Sequence, residues 1–536
     1  MTLIHNPILK GFNPDPSILR VGEDYYIATS TFEWFPGVQI HHSRDLVHWR
    51  LLTRPLDRVS QLDMAGHHAS AGIWAPNLTW NDGTFYLVYT DVKTFSGVIK
   101  DTHNYVVTAP AIEGPWSEPT YLHSHGFDPS LYHEDGRHWV LCMETDYRKG
   151  RSRFGGILLQ EYLPAEHRLI GPLTKIFRGT KLDFTEGPNL YKKDGWYYLI
   201  VAEGGTGLGH AVTVARSRSI SGPYEADPAG PVLTSRDHPR DPLQKAGHAS
   251  IVDVPGNGWF MAHLCGRPIP RRGRCTLGRE TALQQVTWTK EGWLRVGPVL
   301  GRAALEVAAP DLPAHPWPAA SIREDFDSVQ LALDFQTMRV PLNSDALSLE
   351  ERPGFLRLKG RESIGSRHIQ ALVARRQQAF RYRVATCMEF DPSHFKHSAG
   401  LICLYDQENL YYLKIGFEEG MGRMVEIVLR NNGALEFPLS EPVAIPAEGR
   451  WVLAVSVDYD RLQFTHGPEG GELTPVGEVF DASTLSDEYS HEGKFTGAFV
   501  GVCCQDLTGG HQHADFDWFE YEELPEEISV GGQISV

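Results

Sequence analysis

The chain has 536 residues, 41% of them apolar, with 50 basic and 67 acidic side chains for a formal charge of −17. That length exceeds one hydrophobic core and points to two or three domains. The charge argues against a nucleic-acid or anionic-membrane partner, because phosphate binding needs a basic face. The opening MTLIHNPILKGF lacks the basic and apolar regions of a secretory signal, and no apolar run reaches transmembrane length. Seven cysteines, at 142, 265, 275, 387, 403, 503 and 504, are scattered without metal-type spacing. The expectation is a cytoplasmic protein with reduced core thiols.

From Asp15 the chain reads DPSILRVGEDYYIATS: a polar lead, a proline, a short strand, a turn, an aromatic pair and an apolar strand. This pattern predicts a β-hairpin. It recurs as APNLTWNDGTFYLVYT from Ala75, DPSLYHEDGRHWVLCME from Asp128, FTEGPNLYKKDGWYYLIVA from Phe184 and HASIVDVPGNGWFMAHL from His248. Measured at Pro16, Pro76, Pro129, Pro188 and Ala249, the repeats are 60, 53, 59 and 61 residues apart. The aromatic pairs keep the same step, from Tyr25-Tyr26 to Trp259-Phe260. Five hairpin units at a near-constant period predict a five-bladed β-propeller over residues 1–302, since one small sheet cannot bury its faces without neighbours.

If the repeats superpose, the residue preceding each repeat proline sits at the same radius. Those positions hold Asp15, Ala75, Asp128, Gly187 (with Glu186 one place earlier) and His248. Three carboxylates and a histidine are thereby expected to converge on one funnel. An Asp-Pro-Ser string is by itself an ordinary turn. Its recurrence in one slot of a repeat is what argues for chemistry. Glycoside hydrolysis needs two carboxyl groups flanking one bond, one protonated and one ionised. Glu186 is assigned as general acid, with Gly187 expected to leave space for a substrate oxygen. Asp15, from another blade, is the general base, and Asp128 raises the pKa of Glu186 by repulsion.

Beyond the repeats, residues 303–322 carry Pro310, Pro313, Pro316 and Pro318, and this density predicts an extended linker. Residues 323–536 alternate short apolar strands, from FLRLKG at 355–360 to ADFDWFEYEE at 514–523, with Gly, Asn and Asp turns. They predict a β-sandwich, which makes the whole chain all-β.

NPDPS (13–17), IWAPN (73–77), FDPS (127–130), TEGPN (185–189), GHAS (247–250) and LGRETALQ (277–284) together resemble glycoside hydrolase family 43, specifically its β-xylosidases with a C-terminal concanavalin A-like sandwich. The resemblance spans nearly the whole chain. It implies an inverting exo-hydrolase that releases xylose from the non-reducing end of β-1,4-xylooligosaccharides, with α-L-arabinofuranosidase side activity. The family's base, pKa modulator and acid fall on Asp15, Asp128 and Glu186. The resemblance also places Phe32, Trp74 and Phe127 around the sugar and matches Arg279 to the family's hydroxyl-binding arginine; Thr206, in the Gly-rich turn EGGTGLGH, and the slot residues Ala75 and His248 are the further candidates for substrate binding. Arg267, Arg271, Arg272 and Arg274 read as a solvated basic loop. No cofactor is expected to be required. In part of the family, however, a histidine near the propeller axis helps hold a hydrated Ca²⁺, and His248 is the residue here that would do so. A sandwich loop is expected to close the pocket, with QDLTGGHQHADF (505–516) as the segment and Leu507, His511 or Phe516 as the contact. Family habit implies a dimer or tetramer. The competing readings are a retaining fructosidase of the related five-bladed clan, a family 43 arabinofuranosidase or arabinanase, and a non-catalytic carbohydrate-binding propeller.

Overall fold

The computed structural model describes residues 2–95, 99–270, 272–297, 299, 301–491, 494–510 and 512–525. His511 and Arg271 lie outside them. Apart from two short 3₁₀ turns, the regular elements are all strands. No helix among the described residues is long and apolar enough to cross a membrane.

Five antiparallel sheets, four of them built from consecutive strands and the first skipping only Trp34–Phe35, form the five blades of a β-propeller. Their innermost strands are Ser17–Val21, Gly72–Asn81, Ser130–Glu134, Glu186–Lys193 and Gln244–Val254. Three of the inner hairpins turn on an Asp-Gly pair: Asp82-Gly83, Asp135-Gly136 and Asp194-Gly195. All six residues have positive φ, the backbone that a two-residue hairpin loop requires.

The repeat has a second use that its sequence did not announce. The position after each repeat proline or its alanine counterpart holds Ser17, Asn77, Ser130, Asn189 and Ser250, and four of these bond neighbouring blades together. Asn77 Nδ2 donates to Ser17 Oγ (3.2 Å) and Asn189 Oδ1 (3.0 Å), Asn189 Nδ2 to the Ala249 carbonyl (3.2 Å), and Ser250 Oγ to the Pro16 carbonyl (2.7 Å). Much of the blade-to-blade hydrogen bonding thus falls to the Ser and Asn slot, while Asp128 of the carboxylate slot also reaches the next blade at Gly187.

The proline-rich stretch is partly structured. Glu306–Ala308 pairs with Leu3–His5, joining the two ends of the propeller chain, and Trp317 Nε1 donates to the His48 carbonyl of blade 1 (3.2 Å). At Arg323–Glu324 the chain pairs with the final strand, His513–Glu523, and the sandwich begins.

The sandwich packs an eight-stranded against a seven-stranded antiparallel sheet. Trp451–Asp458 and Arg461–Pro468 are two strands of one hairpin, reversed at Tyr459 with φ 55°. In Ala371–Arg376, Ala371 and Val373 enter the sandwich core, whereas Leu372 and Ala374 face the propeller. Strand alternation thus gives one sheet two cores. Cys503 and Cys504 split the same way, and all seven cysteines are buried and free. Trp34 of the propeller stacks on Phe499 of the sandwich at 3.7 Å and 11°, and Thr337–Met338 pairs with Trp34–Phe35.

The domains touch most closely at Gly278 and Gly497. A Cβ on Gly278, whose φ is 69°, would lie 2.3 Å from the Thr496 carbonyl oxygen. Gly278→Ala is expected to cost about 2–4 kcal/mol by adding a backbone collision to conformational strain. Gly83→Ala, at φ 79° with nothing within 4 Å, should cost about 1 kcal/mol from strain alone. Denaturant unfolding of the two variants measures the difference, and equal costs would refute a tight interface at Gly278.

Candidate active site

The five slot residues share one backbone conformation. Asp15, Ala75, Asp128, Gly187 and His248 have φ of 56°, 38°, 55°, 57° and 42°. A left-handed residue at the head of the inner strand interrupts the pleat. For the four that are not glycine it is a strained geometry that recurs where a site must be built.

Above the axis lies a cavity of about 230 Å³ lined by Asp15, Asp128 and Glu186, by Phe32, Trp74, Phe127 and Thr206, and by His248 and Arg279. Each of these was expected there. Ala75 is the exception. It borders only the narrow axial space beneath, where its backbone N–H donates to Ser30 Oγ (2.8 Å). Ser30 in turn donates to Asp15 Oδ2 (2.7 Å), so Ala75 bears on the site through Ser30 and does not face the cavity.

Asp15 is 5% exposed. Burial pushes its pKa up, but Arg279 Nη1 at 3.2 Å, the His248 imidazole at 3.6 Å and the Ser30 hydroxyl outweigh burial and hold it below the ordinary value. Asp128 accepts the Gly187 N–H (3.0 Å) but has no strong cation beside it. Burial, then the Glu186 and Asp15 charges, raise it well above the usual range. Glu186 is half-buried at the head of its strand. Burial and the Asp15 charge push it to about 8, against the pull of Arg279 and Lys100. One carboxylate ionised beside two that resist ionisation is the division of labour that acid–base hydrolysis needs.

Gly187 does not leave its space to a substrate. A Cβ there would lie 3.0 Å from the His248 ring, so the missing side chain makes room for the imidazole. Burial holds His248 below its ordinary pKa, and its neutral ring sits 3.6 Å from Asp15 and 4.0 Å from Asp128.

Arg279 links the two domains at the site. Nη1 reaches Asp15 and Thr206 Oγ1 (2.9 Å), and Nη2 donates to the Phe495 carbonyl of the sandwich (3.0 Å). The Phe495 ring then enters the cavity, 5.5 Å from Trp74 and 6.2 Å from Phe32. The sandwich residue that closes the site among those described is therefore Phe495, and neither Leu507 nor Phe516 does so. Phe516 is fully buried in the sandwich core, and Leu507 is 51% exposed and does not line the cavity. Lys100, Phe154, Phe184 and Gly205 also line the cavity and were missed. Phe184 opens the very string that carries Glu186, and its place two residues before the acid was the available signal. The arginine loop is only partly solvated: exposed Arg272 pairs with Asp460 (3.1 Å) and Arg274 donates to Ser483 Oγ (2.9 Å), which fastens the propeller to the sandwich, while Arg267 pairs with buried Glu280 within the propeller (2.7 Å).

The chain was compared with known proteins. Glycosyl hydrolases family 43 matches residues 4–294, and the beta xylosidase C-terminal concanavalin A-like domain matches 323–522. "Xylosidase/arabinosidase 43B" of Humicola insolens is 50% identical over 98% of each chain. "Beta-xylosidase" of Bacillus subtilis (strain 168) is 48% identical over 97% of this chain and 99% of its own. The crystal structure of a xylan beta-1,4-xylosidase from Bacillus halodurans C-125 superposes with a TM-score of 0.96 at 53% identity, over 97% of this chain and all of that one. With its five blades, its converging carboxylates and these relatives, the chain belongs to glycosyl hydrolases family 43 and is a glycoside hydrolase.

Proposed function

We propose that the enzyme releases xylose from the non-reducing end of β-1,4-xylooligosaccharides with inversion. The observation that carries this reading is a cavity of about 230 Å³, walled by aromatic rings and capped by Phe495, in which a base and an acid carboxyl face the same space. It is smaller than the roughly 300–1,000 Å³ of sites that enclose drug-sized ligands, which suits one terminal sugar rather than a run of them.

In this mechanism Asp15, ionised by Arg279, takes a proton from a water that attacks the anomeric carbon. Glu186 gives its proton to the leaving glycosidic oxygen. Burial and the Asp15 charge hold the proton on Glu186, while Asp128, itself held protonated, accepts the neighbouring Gly187 N–H. Phe32, Trp74 and Phe127 offer flat apolar faces to the ring, and Arg279 and Thr206 lie where the sugar hydroxyls would meet them. Proton exchange between Asp15 and Glu186 through solvent restores the starting state. The double name of the Humicola insolens relative favours α-L-arabinofuranosides as second substrates.

The residues about the axis do not suit a hydrated Ca²⁺. His248 belongs to no set of three His, Cys or acidic ligand atoms within 4.8 Å among the described residues, and the axial space of about 10 Å³ is the size of one water. No catalytic step is assigned to an ion, and exhaustive chelation followed by added Ca²⁺ should leave turnover unchanged. Recovery of activity on adding the ion would overturn this.

Proton NMR of xylobiose hydrolysis should show α-xylose as the first product from the non-reducing unit. First-formed β-xylose would exclude inversion. Glu186→Ala should lower kcat/KM on xylobiose by about 10²–10⁴-fold and on p-nitrophenyl β-xyloside by far less, since only the poor leaving group needs protonation. Equal losses would remove Glu186 from the acid role.

The raised carboxyls also set the pH dependence of stability. Folded Glu186 and Asp128 keep protons that the unfolded chain has released, so their contribution is fully present below about pH 4 and is lost as pH rises toward about 8. Asp128→Asn should therefore flatten the decline in Tm between pH 5 and 9 while activity falls. An unchanged slope would contradict the assignment.

A further inference from the structure

A second cavity, of about 900 Å³, lies between blade 1, the proline-rich stretch and the sandwich, and none of its lining residues faces the catalytic cavity. Its wall holds Arg54, Arg375 and Arg376, which are 7%, 9% and 5% exposed. Arg375 has Asp334 at 3.6 Å, and Lys10 at the rim has Glu523 at 3.2 Å. Arg54 and Arg376 have no carboxylate partner among the described residues. Arg54 donates to Gln39 and the Phe335 carbonyl, and Arg376 to the Phe12 carbonyl and Gln336. Arg376 Nη2 and Arg375 Nε are buried with no hydrogen-bond partner. Burial pushes Arg54 down to about 9, and burial together with Arg54 pushes Arg376 down as well. His41, on the same wall, is driven to about 3 by burial and both arginines, so the three groups face one another. Asp334 draws on both arginines but is already paired with Arg375, so the buried positive charge is only partly offset, and an oxyanion taken by guanidinium groups would relieve the repulsion. At the mouth, Arg50 lies 3.9 Å over the Trp317 ring and adds an exposed cation, with Glu522 the opposing charge.

We propose that this interdomain cavity binds a small oxyanion, a carboxylate or a phosphate, with Arg376 and Arg54 taking its charge and Trp317 walling its side. Occupancy would tie the domains together near the catalytic blade. Gln39 joins Arg54 to Asn13, two residues before Asp15, and the Arg376 guanidinium lies 5.4 Å from the Phe12 ring.

Calorimetric titration of the intact enzyme at low ionic strength, with citrate in one arm and inorganic phosphate in the other, tests the proposal. The expected result is one saturable site per chain for at least one anion, weakened at least tenfold by Arg50→Glu and by Arg376→Gln and unaffected by Arg279→Gln in the catalytic cavity. Which arm saturates tells carboxylate from phosphate. Circular dichroism establishes that each variant is folded, and if Arg376→Gln is not, Arg50→Glu on the exposed rim decides. Binding of neither anion, undiminished affinity in Arg50→Glu or in a folded Arg376→Gln, or loss of binding in Arg279→Gln would each overturn it.

Discussion

Three carboxyl groups packed about one axis cannot all be ionised, and one guanidinium determines which of them is. Arg279 stands 3.2 Å from Asp15 and is the strong cation that touches any of the three. Burial, together with the charge that Asp15 keeps, presses Glu186 and Asp128 toward their protonated forms. The acid and base roles proposed for Glu186 and Asp15 thus rest on burial and on the placement of a single positive group. The same guanidinium holds the Phe495 carbonyl, so the part of the sandwich that caps the cavity is fixed by the residue that sets its electrostatics.

Convergence itself comes from the backbone. A left-handed residue recurs at the equivalent slot of all five blades, whatever side chain the slot carries. That conformation costs energy at Asp15, Asp128, Ala75 and His248, and the neighbouring Ser and Asn contacts that bind blade to blade hold it in place. Scaffold and chemistry therefore use adjacent positions of one repeat. The buried, partly protonated carboxyls and the strained slots place the site among those where stability is given up for function.

This arrangement explains what could be read from residues alone. Repeat register brought Asp15, Asp128, Glu186 and His248 together, because equivalent positions in a closed ring share a radius. The pocket aromatics and Arg279 came from motif resemblance, and they stand at the cavity with the carboxylates. Register said nothing of Lys100, Phe154 or Phe495, which lie outside the repeat. The role of Phe495 depends on how a second domain docks, which no pattern within its own segment announces. Phe516 does not cap the cavity because it follows strand alternation into the sandwich core. Gly187 misled for a related reason: the space beside a glycine can be claimed by a neighbouring blade, here by His248.

The division of protons among these carboxyls is open to direct observation. A ¹³C NMR titration of side-chain carboxyls, with Glu186→Gln and Asp15→Asn to assign the resonances, follows each group without turnover. The account predicts that Glu186 titrates far above the ordinary glutamate range while Asp15 stays ionised down to acidic pH. A Glu186 resonance titrating near the usual value, or an Asp15 that titrates above it, would contradict the account.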